Sequence, residues 1–119
     1  MRTELPEESV LLRIFISEFD HYHGHPLHEA LVLKAREAGL AGATVLRGSL
    51  GYGHTSRIHT SKILRLSDDL PLVVEIVETQ QKIDAFLPVL DEMMESGLVT
   101  IEKARVLRYG ANPNKKSTP

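Results

Sequence analysis

The window from Gly39 to Ser67 contains no Asp or Glu, although acids outnumber Lys and Arg by 16 to 14 over the whole chain. Inside it runs R-G-S-L-G-Y-G-H-T-S-R-I-H-T-S-K, Arg47 to Lys62, with Gly48, Gly51 and Gly53, several hydroxyls, the fixed cations Arg47, Arg57 and Lys62, and two histidines, His54 and His59. A segment free of carboxylates and supplied with glycine lets successive backbone N–H groups converge on an anion, and phosphate suits such a cradle. Arg47 can pair with a phosphate through two N–H groups. Tyr52 can stack on a base or cover it, and His59 on the returning arm can meet a phosphate or a neighbouring subunit. The glycine spacing matches neither the Walker nor the Rossmann pattern, and a plain hairpin would use the same glycines for its turns.

A second cluster lies upstream. His21, His23, His25 and His28 crowd into D-H-Y-H-G-H-P-L-H, and imidazoles on alternate residues of an extended segment can face one divalent metal ion. The competing reading is a solvated turn. Glu18 and Asp20, at the end of the preceding apolar run, have the chemistry to contact a ribose or the cations of the long loop, although an acid at a strand end is most often solvated. Catalytic signatures are missing: there is no cysteine, no nucleophile elbow, no H-E-x-x-H and no carboxylate pair in evidently different surroundings. The chain is expected not to be an enzyme, and His54 with His59 is the weak basis for a hydrolase reading.

These residues need a scaffold, and 119 residues suffice for one core. A net charge of −2 argues against a general nucleic-acid binder. No apolar run reaches a membrane span and the N-terminus lacks the pattern of a signal peptide, so no membrane insertion is expected and the cytoplasm is the expected compartment. Residues 1–9 are expected as a loose leader, 10–109 as the folded domain and 110–119 as a disordered tail. Val10 to Glu18 reads as a strand, Phe19 to Pro26 as a turn, and Leu27 to Ala38 as a helix stopped by Gly39. Strands follow at Ala43 to Arg47 and Lys62 to Ser67, then a turn or bulge at Asp68–Pro71 and strand again from Leu72 to Glu78. Thr79 caps a second helix with Ile83, Phe86, Leu87, Leu90, Met93 and Met94 on its apolar side, kinked at Pro88 and ended by Gly97. Leu98 to Tyr109 is the last strand.

The order βαββαβ specifies an α+β, ferredoxin-like fold, an antiparallel sheet with both helices on one face. The strands are apolar on both sides. Leu12, Ile14 and Ile16 oppose Leu11 and Phe15, while Leu72, Val74 and Ile76 oppose Val73 and Val77. Leaving the second set in water costs roughly 1.5–3 kcal/mol for each large side chain, which points to a closed homo-oligomer. Glu75, the acid inside an otherwise apolar strand, calls for a basic partner such as Arg13 or a place at an interface edge. Arg105 and Arg108 have stems long enough to cover the last strand.

The run G-L-A-G-A-T-V-L-R-G, Gly39 to Gly48, followed by G-Y-G and by L-R-L-S-D-D-L-P-L-V-V-E, resembles the domain-of-unknown-function 190 family of PII-like proteins over Val10 to Tyr109. It is more distantly similar to the PII nitrogen-regulatory proteins. That resemblance implies a homotrimer with an adenine nucleotide (AMP, ADP or ATP) as effector in clefts between subunits. By position the nucleotide-binding parts fall on Arg47, Gly48, Gly51, Tyr52, Gly53 and His59, on Gly97, Leu98, Val99 and Thr100, and on Arg105 and Arg108, with residues of the Gly97–Arg108 stretch supplied by a neighbour. Binding would order loop 48–61 and present it to a target protein. Two departures stand out: the loop is shorter than a PII T-loop and lacks its modifiable tyrosine context, and G-L-V-T replaces the Gly-Asp-Gly-Lys turn. The CutA proteins, a similar trimeric fold associated with divalent metals, give the alternative, a metal-binding trimer using His21, His23, His25 and His28.

Overall fold

The computed structural model describes residues 5–52, 59–60, 70–112 and 114–115. Strand β1 (Glu8–Ser17) starts two residues ahead of the expected Val10, because Glu8 and Ser9 already pair with the last strand. A small hairpin, β2 (His21–Tyr22) with β3 (His25–Pro26), occupies the segment expected as an irregular turn. Helix α1 (Leu27–Glu37) buries Leu27, Leu31 and Ala35, spaced four apart on one stripe. Gly39, at φ 75°, ends it, and the Leu40 N–H reaches back to the Ala35 carbonyl at 3.1 Å, a Schellman closure.

After β4 (Thr44–Arg47) the chain makes a short pairing that the sequence reading lacked, β5 (Leu50–Gly51) with β6 (His59–Thr60). The expected strand at 62–67 lies outside the described residues. Strand β7 (Pro71–Glu78) begins at Pro71, the position where a strand tolerates a missing N–H. Helix α2 (Gln80–Met93) is one helix, as expected. The Thr79 side chain accepts from the Lys82 N–H at 3.2 Å, and Ile83, Phe86, Leu90 and Met93 are buried. Pro88 stands on the exposed side, where the carbonyl it leaves unpaired can be hydrated. Strand β8 (Leu98–Arg105) stops four residues short of Tyr109. Its partner β1 begins opposite Arg105, so the ladder has nothing left to pair with.

The main sheet has the order β4-β7-β1-β8, every pairing antiparallel. This is the expected ferredoxin-like arrangement. Val10, Leu12, Ile14 and Ile16 of β1 and Leu72, Val74 and Ile76 of β7 form the core with the helix stripes. The opposite face carries the row Leu46, Val73, Phe15 and Leu98 across all four strands, with Leu46 and Leu98 about half exposed (48% and 56%). Beside it Arg13 bridges Glu75 at 2.9 Å and Glu102 at 2.7 Å. The partner expected for Glu75 is therefore present, and it is shared. The hydrogen bond to Glu75 leads the effects that raise the Arg13 pKa, against partial desolvation.

Candidate functional site

The strand ladder places the two groups of expected site residues. Arg47 stands opposite Leu72, Leu72 opposite Ile16, and the neighbouring Phe15 opposite Leu98. Arg47 and Gly97–Leu98 therefore lie at the same end of the sheet but on opposite edges. Three strand spacings separate them, about 14 Å. One chain presents two halves facing away from each other.

The first half is the base of the long connection. The Gly48 N–H donates to the Pro71 carbonyl at 2.7 Å, closing the stalk. A Cβ on Gly48 would sit 2.8 Å from Pro71 Cγ, so this close approach requires glycine. Gly51 pairs with His59 across β5 and β6, and Tyr52 projects into solvent, 69% exposed. Gly53 and His54 lie outside the described residues. The Arg47 guanidinium pairs with the Glu18 carboxylate, and the same carboxylate accepts from the Leu70 N–H at 3.2 Å. Glu18 does meet a loop cation, one of the roles its position suggested. The hydrogen bond from Arg47, then the Leu70 N–H and the charges of Arg47 and His28, hold the Glu18 carboxyl below its ordinary range, while partial burial pulls the other way.

The second half is the turn after α2. Gly97 adopts φ 133°, and a Cβ there would lie 2.7 Å from the Phe15 carbonyl oxygen. Leu98, Val99 and Thr100 leave it as exposed residues of the β8 edge. Nearby, a cavity of about 380 Å³ is lined by Phe19, Asp20, His21, Leu27, Met93, Glu95 and Ser96. Asp20 is committed inside the fold, accepting from the Ser17 N–H at 2.8 Å.

Arg105 and Arg108 are not brought to this place. Seven residues of extended strand separate Arg105 from Leu98, about 23 Å, and Arg105 pairs with Glu7 at 2.7 Å. After β8 the chain crosses the far end of the sheet, where the Tyr109 hydroxyl donates to the Ala41 carbonyl at 2.7 Å. Residues 97–100 and the two arginines therefore do not line one cleft on a single chain.

The histidines are dispersed. His21 is exposed, with Nδ1 against the Phe19 carbonyl, and His23, at φ 49°, stacks on Tyr22 with centroids 4.0 Å apart. His25 is exposed, and His28 sits on α1 with Nδ1 buried and unpartnered among the described residues. No three His, Cys, Asp or Glu side chains among the described residues are placed to hold a metal ion.

One polar centre was missed. Glu78 is fully buried, accepting from the Ala41 N–H at 2.8 Å and the Thr79 N–H at 2.6 Å. The alternation Leu72, Val74, Ile76 continues to it, and that period points this carboxylate inward.

Residues 9–106 match the family model of DUF190, described as Uncharacterized ACR. The chain belongs to the DUF190 family. A UPF0166 protein of Aquifex aeolicus (strain VF5) is 42% identical over 97 residues, covering 82% of this chain and 91% of that protein. The UPF0166 protein MJ1524 of Methanocaldococcus jannaschii is 31% identical over 99 residues, covering 82% and 91%. Among solved structures, CPII, a nitrogen regulatory PII-like protein from Thiomonas intermedia K12, bound to ADP, AMP and bicarbonate, overlays this DUF190 chain with a TM-score of 0.56 at 17% identity, covering 85% of this chain and 90% of that one. A second CPII structure, bound to ADP and bicarbonate, gives 0.52 at 19% identity. At those identities the likeness concerns the fold, which is PII-like. Among the described residues no helix is long and apolar enough to cross a membrane.

Proposed function

We propose that this DUF190 protein is a PII-like regulator, active in the cytoplasm, that binds an adenine nucleotide between subunits of a homotrimer. The observation that carries the reading is the placement of the two half-sites, at one end of the sheet but on opposite edges. Subunits joined head to tail, β4 edge to β8 edge, set Arg47–Gly53 and His59 of one beside Gly97–Thr100 of the next, and a rotation that closes gives one such cleft per interface. Arg105 and Arg108 reach the ligand only from another subunit. The apolar row Leu46, Val73, Phe15 and Leu98, whose two ends Leu46 and Leu98 are about half exposed, supports burial against the other subunits.

In this cleft Arg47 and the glycine backbone take the phosphates and Tyr52 covers the base. The ligand fixes loop 48–61 in one arrangement, which a target protein reads. ADP and AMP are the leading candidates because the similar CPII fold binds both. Calorimetry with AMP, ADP and ATP, with and without bicarbonate, tests this reading. Binding of at least one nucleotide that Arg47→Ala abolishes is expected; no binding of any, or binding indifferent to Arg47, contradicts it.

A further inference from the structure

We propose that Glu18 is the internal anion of this site: it occupies Arg47 in the free protein, and an incoming phosphate must take Arg47 from it. This rests on the nucleotide reading above and adds how the site is regulated. Glu18 lies just past the end of β1, 29 residues from Arg47, and the carboxylate bridges both ends of the 48–70 connection. One oxygen pairs with Arg47 before it and the other accepts from the Leu70 N–H after it at 3.2 Å. The Glu18 N–H in turn donates to the Leu70 carbonyl at 2.9 Å, so this joint is held by backbone and side chain together.

The pair is built to be exchanged. The Glu18 side chain is 28% exposed and that of Arg47 50%, so a ligand can reach the guanidinium without unfolding anything. A phosphate on Arg47 brings negative charge against the Glu18 carboxylate, and two like charges around one cation repel. Nearby in sequence, the His28 Nδ1 is buried and has no hydrogen-bond partner among the described residues. Because Glu18 also holds Leu70, its displacement loosens the return end of the connection as the ligand occupies the outgoing end. Binding and a change in the stalk are thereby one event.

The test measures ADP affinity calorimetrically for the wild type, for Glu18→Gln, for Glu18→Ala as a second variant, and for Glu37→Gln, which removes the same charge from a distant exposed position. Both Glu18 variants should bind ADP more tightly, on the order of threefold or more as expected for release of a partly exposed ion pair, and Glu37→Gln should match the wild type. Equal or weaker binding by the Glu18 variants overturns this inference and leaves the nucleotide reading standing, as does equal tightening by Glu37→Gln. If none of the proteins binds ADP, the nucleotide reading fails and this inference fails with it.

Discussion

Two glutamates anchor opposite ends of the sheet, and they are held in different ways. Glu78 ends β7, is fully buried, and spends its oxygens on the backbone N–H groups of Ala41 and Thr79. It ties the loop before β4 to the start of α2, while the Tyr109 hydroxyl holds the same loop at the Ala41 carbonyl. Glu18 follows β1, is partly exposed, and shares its oxygens between one backbone N–H and a guanidinium. A buried carboxylate committed to backbone amides cannot let go without leaving them unpaired, whereas one paired to an exposed arginine can be replaced by another anion. The first is a joint and the second a contact that a ligand can contest.

Glu78→Ala should break the joint. It strands two N–H groups and should cost about 3 kcal/mol, visible as a lower midpoint in urea unfolding; a loss below about 1 kcal/mol would remove the contrast with Glu18. Gly97→Ala comes next, at about 2 kcal/mol, because the new Cβ meets the Phe15 carbonyl oxygen on a backbone that L-residues rarely adopt. The same urea series reports it, and a neutral result would mean that this turn can rearrange.

Glu18→Gln should change stability by less than about 1 kcal/mol, as for exposed ion pairs. A larger loss would make Glu18 a second structural joint. The smallest effect is in pH. Since the Glu18 pKa is depressed in the folded protein, its contribution is complete above the unfolded value, about 4.3, and fades as pH falls through the lower folded value. The stability difference between wild type and Glu18→Gln should therefore be constant from neutral pH down to about 5 and shrink below about 4. A difference that grows on acidification would contradict the assignment.

Much of this arrangement could be read from local pattern. The alternations Leu12-Ile14-Ile16 and Leu72-Val74-Ile76 placed the sheet and its buried face, and the stripe Ile83, Phe86, Leu90, Met93 placed α2 upon it. Arg13 with Glu75 followed from an acid in the middle of an apolar strand. The histidine hairpin was harder: its two-residue turn, His23-Gly24, has both residues at positive φ, and a histidine stands where Asn or Asp usually announces such a turn. The pairing of Glu18 with Arg47 spans two strands that are not sequence neighbours, so types and spacing suggested a contact but not that the arginine would already be engaged. That Arg105 lies a full strand length from Gly97 was legible, since Leu98 to Tyr109 reads as one strand and its rise per residue separates the two.

The central claim is that a cleft takes Arg47 from one subunit and residues 97–100 from the next. Co-expressing Arg47→Ala with Thr100→Glu, each expected to bind no ADP alone, tests it directly by calorimetry of the purified mixed oligomers. In every mixed ring of three, one interface unites the intact Arg47 of one variant with the intact Thr100 of the other, so ADP binding should return at one site per mixed ring. A mixture as inactive as its two components, from chains whose wild type binds ADP, would place the site within a single subunit and contradict the account.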